Sequence, residues 1–87
     1  MKIKNGFVVR PVAGQHMVVA LGEASKSFNG IIKLNESARM IWDMLVEGAE
    51  RDEIVNRLLE EYDVDRAILQ ADCDKFIQSL QENNILE

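Results

Sequence analysis

The lone cysteine, Cys73, and the lone histidine, His16, are the natural starting points for metal or nucleophilic chemistry in this sequence. They fall in different predicted elements, and no spacing pairs them. A structural zinc site takes about four ligands, mostly closely spaced cysteines and histidines, so one of each falls short. Cys73 lies on the apolar stripe of a predicted helix, where a thiol behaves as a small hydrophobe. His16 is an ordinary residue of a predicted strand. Gly22, Gly30 and Gly48 are isolated, which excludes a glycine-rich phosphate loop. The carboxylates lie mainly on outer helix faces, where solvation accounts for them. No catalytic residue, metal ligand or cofactor is expected, and the chain alone is not expected to be an enzyme.

Binding is the remaining chemistry, and two features point to it. Phe28, Gly30, Ile32 and Leu34 alternate with Ser27, Asn29, Ile31 and Lys33, the period-2 pattern of a strand. As the last strand of a meander it can form an edge, with unpaired N–H and C=O groups that invite a partner strand. The second feature is Ile68, which falls off the inner stripe of a predicted third helix. Asp72, Lys75 and Ser79 continue its side at i+4, i+7 and i+11. Beside Leu69 and Phe76, Ile68 can form one wall of a groove.

The elements that would hold these residues are three strands and then three helices. Phe7 to Val12 predicts the first strand, with Pro11 marking an edge or a bulge. Ala13-Gly14-Gln15 is its turn, and His16 to Leu21 the second strand. Gly22 to Ser25 makes a looser turn into a third strand over Lys26 to Leu34. Short turns between closely spaced strands predict an antiparallel meander. Asn35 then stands as a helix N-cap, with Glu36 beside the positive end of the helix dipole. The period becomes 3.6 through Ala38, Ile41, Trp42 and Leu45, which predicts a helix to about Glu47 with Gly48 at C′. Ile54, Val55, Leu58, Leu59 and Tyr62 give the apolar face of a second helix, Glu50 to Tyr62. Asp65 caps a third, reaching Asn83, with Leu69, Cys73, Phe76, Ile77 and Leu80 inward. Ile85 and Leu86 are expected to clip onto the core. This βββααα content is that of a winged-helix-like α+β domain.

At 87 residues the expectation is a single domain, residues 1–87, without internal repeats or linkers. A chain of this size buries only about 60–65% of its unfolded surface, so its stability margin is thin. It has no run of about 18 apolar residues to span a membrane and no signal-peptide stretch. With one unpaired cysteine, this points to the cytoplasm. The net charge of −5 divides unevenly: residues 1–33 carry five bases against Glu23, net +4, and residues 34–87 carry five bases against fourteen acids, net −9. An acidic helical half argues against nucleic-acid binding, which needs cations to neutralise phosphates.

Taken in order, the residues resemble the PqqD family, named for pyrroloquinoline quinone biosynthesis protein D. The resemblance runs through Phe7, Arg10, Val12 and Gly14, then Asn29-Gly30-Ile31, Leu34-Asn35-Glu36 and Ile41-Trp42. It continues in Leu45, Gly48, Glu53-Ile54, Leu58, Glu61-Tyr62-Asp63-Val64-Asp65, Asp72, Phe76, Leu80 and Ile85-Leu86, covering almost the whole chain. One departure stands at the start of the second helix. The pattern calls for Thr, and Glu50 there cannot make the same Thr-type capping box.

The resemblance implies a recognition element for ribosomally synthesised, post-translationally modified peptides. It implies a non-catalytic domain that binds a precursor's leader and presents it to a modifying enzyme, such as a radical S-adenosylmethionine enzyme. It also implies that the leader adds as a strand to the third strand, in a cleft walled by the third helix. Carried over by position, the third strand offers Phe28, Asn29, Gly30, Ile31, Ile32 and Lys33, with the backbone of Asn29, Ile31 and Lys33 as the pairing edge. The third helix offers Arg66, Ile68, Leu69, Asp72, Lys75 and Phe76. Ile31, Ile68 and Leu69 would receive apolar leader side chains, and Phe76 would support the floor. Lys33, Lys75 and Arg66 would meet leader acids, and Asp72 leader bases. Two rivals have distinct signatures. A docking subunit of a larger enzyme would bind that enzyme but no leader. A DNA-binding winged helix would want a basic third helix, whereas Asp65 to Asn83 carries two bases against four acids, net −2.

Overall fold

The computed structural model describes residues 1–26, 28 and 30–87. Three antiparallel strands come first: β1 (Phe7–Val12), β2 (Gln15–Ala20) and β3 (Ile32–Leu34), in the sheet order β1-β2-β3. Three helices follow: α1 (Glu36–Val46), α2 (Arg51–Glu61) and α3 (Arg66–Glu82). This is the expected βββααα order, and the helix limits match the sequence pattern to within a capping residue.

The first hairpin fixes the hydrogen-bonding parity of the whole sheet. Ala13 and Gly14 both have positive φ, 51° and 79°, as a two-residue type I′ turn requires. Such a turn is closed by a hydrogen-bonded pair, here Val12 and Gln15. Pairs alternate from there, so Pro11 opposite His16 sits at a non-hydrogen-bonded site where its missing N–H costs nothing. The polar groups of Arg10 and Met17 then face each other, and those of His16 and Val18 face β3. Their partners there are Leu34 and Ile32.

The third strand is much shorter than the sequence pattern predicts. The predicted strand over Lys26 to Leu34 contracts to Ile32–Leu34, and the looser turn becomes a 3-10 helix, Gly22–Lys26. Several contacts explain the difference. Leu21 N–H donates to Gly6 O at 2.7 Å, and Gly22 turns the chain at φ 59°. Ser25 Oγ closes onto Gly22 O at 2.6 Å, and Phe28 N–H onto Ala24 O at 3.2 Å. This path drops the Phe28 ring edge-on against Phe7, with centroids 5.6 Å apart. The chain rejoins the sheet only opposite Val18. The inward and outward alternation holds from Ile31 to Leu34, with Ile32 half-buried and Leu34 buried, and Ile31 and Lys33 exposed. Before it Phe28 is buried, but Gly30, of the inward set, is exposed. Ser27 and Asn29, assigned to that strand from sequence, lie outside the described residues.

The helices close one core. Phe7, Val18 and Leu34 of the sheet meet Ile41, Trp42 and Leu45 of α1, Ile54, Val55 and Leu58 of α2, and Leu69, Cys73, Ile77 and Leu80 of α3. Asn35 caps α1 as expected, its Oδ1 accepting from Ala38 N–H at 2.9 Å. Gly48 at φ 88° ends the helix in a Schellman motif, with Ala49 N–H on Met44 O and Gly48 N–H on Leu45 O, both at 3.0 Å. At α2, Glu53 Oε1 accepts from Glu50 N–H at 3.1 Å. This is the reciprocal half of a capping box, formed despite Glu in place of Thr. Asp65 occupies the N-cap of α3, but its side chain makes no capping bond. The terminal clip forms as expected: Ile85 and Leu86 are buried, and Leu86 bridges to Ile3.

Candidate functional site

The parity set by the hairpin carries through to the open edge. Because Leu34 and Ile32 spend their polar groups on β2, the N–H and C=O of Lys33 point away from the sheet. Alternation turns those of Ile31 the same way. An unpaired backbone edge of this kind is a template for another strand. Its shortness and the exposed charge of Lys33 are features that disfavour unspecific edge pairing.

Helix α3 runs beside that edge in the opposite direction. A Cβ on Gly30 would stand 3.9 Å from Asn83 Oδ1, near the end of α3. Lys33 shares a cavity with Asp72, Lys75 and Phe76, nearer the middle of the helix. That cavity, of about 590 Å³, is completed by Asn35, Ser37, Ala38 and Ile41 at the start of α1. Ala38 and Ile41 bring apolar surface to it. Asn35 Oδ1 is already satisfied by Ala38 N–H and by Ser37 Oγ, at 3.1 Å in the latter case. Lys33, Lys75 and Asp72 enter no ion pair among the described residues and are free for a visitor. A concave, partly apolar site with convergent charges and a free backbone edge can take an extended peptide.

The sequence-derived residues divide around this cleft. Lys33, Asp72, Lys75 and Phe76 line it. Ile31 is 78% exposed on the edge strand. Ile68, 52% exposed, stands one turn before Asp72 on the same side of α3 but is not among the residues that line the cavity. Leu69, Phe28 and Ile32 turn inward: Leu69 and Phe28 are core, and Ile32 is half-buried against it. Leu69 therefore offers no exposed pocket, contrary to the role expected for it. Arg66 donates from Nη1 to Asn56 Oδ1 at 2.8 Å, which draws it toward α2. Gly30 is exposed, and Asn29 lies outside the described residues. The first turn of α1 was not anticipated in the lining. Its signal was present: Asn35 caps a helix that starts one residue after the edge strand, so any groove along that strand must include it.

A second cavity, of about 620 Å³, lies between α1 and α2 and is lined by Met40, Met44, Glu53 and Asn56, among others. Its walls are helical apart from Glu47 and Ala49 in the connection, whose N–H groups are spent on the end of α1. It has no edge to offer a strand.

Cys73 is part of the core rather than of either cavity. Burial pushes its thiol up to about 11, with the Asp74 carboxylate adding to the rise and the Arg51 guanidinium opposing it. The thiolate is the reactive form. A thiol-specific disulfide reagent at neutral pH is therefore expected to leave the native protein unlabelled. It should react fully in denaturant, and fast labelling of the folded protein would contradict the assignment. Next to it, Arg51 and Asp74 join α2 to α3, with Nη2 to Oδ2 at 2.9 Å. Their hydrogen bond holds the Asp74 carboxyl below the usual carboxylate range and raises the Arg51 guanidinium.

Residues 15–86 match the family described as Coenzyme PQQ synthesis protein D (PqqD). Two solved structures share the fold. TbiB1 in complex with the TbiA(beta) leader peptide is 28% identical, with a TM-score of 0.78 over 100% of this chain and 95% of that one. Lasso peptide synthetase B1 complexed with the leader peptide is 21% identical, with a TM-score of 0.75 over 97% of this chain and 93% of that one. No curated protein sequence matches the chain.

Proposed function

This chain belongs to the PqqD family, and from that premise we propose that it binds the leader of a ribosomally made precursor peptide by strand addition and presents it to a modifying enzyme. The observation that carries this reading is the free backbone edge at Ile31 and Lys33, which opens beside α3 over a cavity of about 590 Å³. The leader extends the sheet as a fourth strand, and its backbone supplies the affinity. Side chains on its inner face enter the cavity against Phe76, Ala38 and Ile41. Lys33 and Lys75 meet its acids and Asp72 its bases. The 28%-identical TbiB1, solved with a leader peptide, supports this reading.

The chain makes and breaks no bond in this role. It raises the leader's concentration beside the enzyme, to the millimolar range (~1 mM) for a linked pair. The enzyme is a radical S-adenosylmethionine enzyme or another peptide-modifying enzyme, acting in the cytoplasm where the precursor is made.

The test is an amide chemical-shift titration with the leader of the precursor encoded nearest to this chain. Shifts are expected to cluster on residues 30–38 and 68–76. Absence of shifts with that leader, alongside binding to the neighbouring enzyme, would replace the proposal with a docking-subunit role. Charge reversal of Lys75 to Glu should weaken the leader several-fold at low salt and less at about 0.5 M salt, because exposed charges are screened. A salt-independent loss would assign Lys75 a packing role instead.

A further inference from the structure

The face of the sheet turned away from the helices is apolar where a solvated face is ordinarily polar. The register places Val8, Val12, Met17 and Val19 on it, and alternation adds Ile31. Val12 and Ile31 are 47% and 78% exposed. Val8, Met17 and Val19 are half-buried, yet none of them packs against the hydrophobic core. They cover one another across the strands, as Val8 and Val19 do in direct register. The charges on this face are of one sign: Arg10 opposite Met17, and Lys33 on its other side. Glu23 is the one acid among residues 1–33, and Lys26 holds it at 3.2 Å. Gln15, opposite Val12, is the uncharged polar residue of this face. An apolar patch whose charged neighbours among the described residues are cations fits a partner with an apolar patch bordered by carboxylates.

This face is continuous with the leader-binding edge, since Ile31 and Lys33 belong to both. A strand added beside β3 would place every second side chain on the same outer face, flush with Ile31 and Lys33. The loaded domain therefore presents a wider face than the empty one, part protein and part leader. Resting on the leader-binding reading above, we infer that the outer sheet face is where the acidic-rimmed modifying enzyme docks, and that it contacts the domain and the outward side chains of the bound leader together. A second copy of this chain is a poorer occupant, because Arg10 and Lys33 would face their own kind across a face-to-face pair.

The experiment measures binding of the peptide-modifying enzyme encoded nearest to this chain, with and without the matching leader. Val12→Glu and Arg10→Glu are exposed changes on the outer face and lie outside the leader cleft. Each is expected to weaken enzyme binding by about tenfold or more, as central or charge-reversing interface changes do. Leader affinity should stay within about twofold, a difference below ~0.5 kcal/mol. The loaded wild-type domain should bind the enzyme more tightly than the empty one. Wild-type enzyme affinity in both variants would overturn the inference. Equal affinity of loaded and empty domain would overturn the composite surface. Sedimentation that reveals a dimer lost in Val12→Glu, with enzyme affinity unchanged, would give the face to a second copy. Absence of leader binding, with enzyme binding still lost in the variants, would overturn the proposed function and leave the docking face standing.

Discussion

Replacing Ile31 with proline is expected to leave a folded domain that has lost about tenfold or more in leader affinity. The parity of the sheet makes this separation possible. Ile32 pairs with Val18, so alternation turns the N–H of Ile31, the residue just before β3, toward the open edge. Proline there removes no hydrogen bond among the described residues of the folded protein. Gly30 precedes it, and glycine tolerates the restricted backbone that proline imposes on its neighbour. In the complex the same N–H would donate to the leader. Its loss removes one hydrogen bond, about 1 kcal/mol net, and leaves a leader carbonyl facing a ring, a penalty of about 1–3 kcal/mol. Together these correspond to about tenfold or more. Calorimetric titration of the variant, with thermal melts of both proteins, checks the result. A variant that melts like the wild type and binds as tightly would exclude pairing at Ile31.

Leu80→Ala should have the largest effect on stability. Leu80 is fully buried in α3, and its carbonyl accepts from Ile85 N–H at 2.9 Å in the motif that turns the chain into its terminal clip. Truncation leaves a cavity where α3 and that clip meet the core, with a cost of about 2–5 kcal/mol. The whole stability of a small domain is about 5–15 kcal/mol, toward the low end at this size. A fall in melting temperature of about 10 °C or more is expected. Trp42, the only tryptophan and 2% exposed, reports the transition by its fluorescence. A fall of less than about 3 °C would mean that the site collapses around the missing atoms, as some cores do. Leader affinity measured well below the transition should change little, because Leu80 lies outside the cleft lining.

The helices were legible because their signals were redundant. Asn35 and Gly48 bracket α1, the apolar period agrees with both, and the structure keeps the caps. The sheet was legible at its first hairpin, where Ala13-Gly14 leaves the chain little choice of turn. It was misread at Lys26 to Leu34, because alternation alone does not distinguish a paired strand from an extended approach to one. Phe28 satisfies the pattern equally well as a strand residue or as a ring dropped onto Phe7, and that contact lies 21 residues away in the chain. The cleft was half legible. Ile68, Asp72 and Lys75 follow from helical spacing, whereas Leu69 sits on the same helix but turns into the core. Arg66 leaves the cleft for Asn56 through a contact between two helices that no local pattern encodes. The outer sheet face was readable in principle, since Val8, Val12, Met17 and Val19 alternate as regularly as the inner set. Its meaning depends on the register, which only the folded chain supplies.

The bridge between Ile3 and Leu86 has a consequence for how this domain can be rewired. Glu87 N–H donates to Lys2 O at 2.9 Å, so the two ends meet within a hydrogen bond. A short linker can join them, and the chain can be reopened at the exposed tip between Ala13 and Gly14, the kind of site where circular permutation succeeds. The permuted order is β2-β3-α1-α2-α3-β1. Every residue from Ile31 to Phe76 stays on one uninterrupted stretch, so the leader cleft is inherited whole. β1, which carries Val8, Arg10 and Val12 on its outer side and Phe7 in the core, becomes the last strand, so the outer sheet face is then assembled from the two ends of the chain.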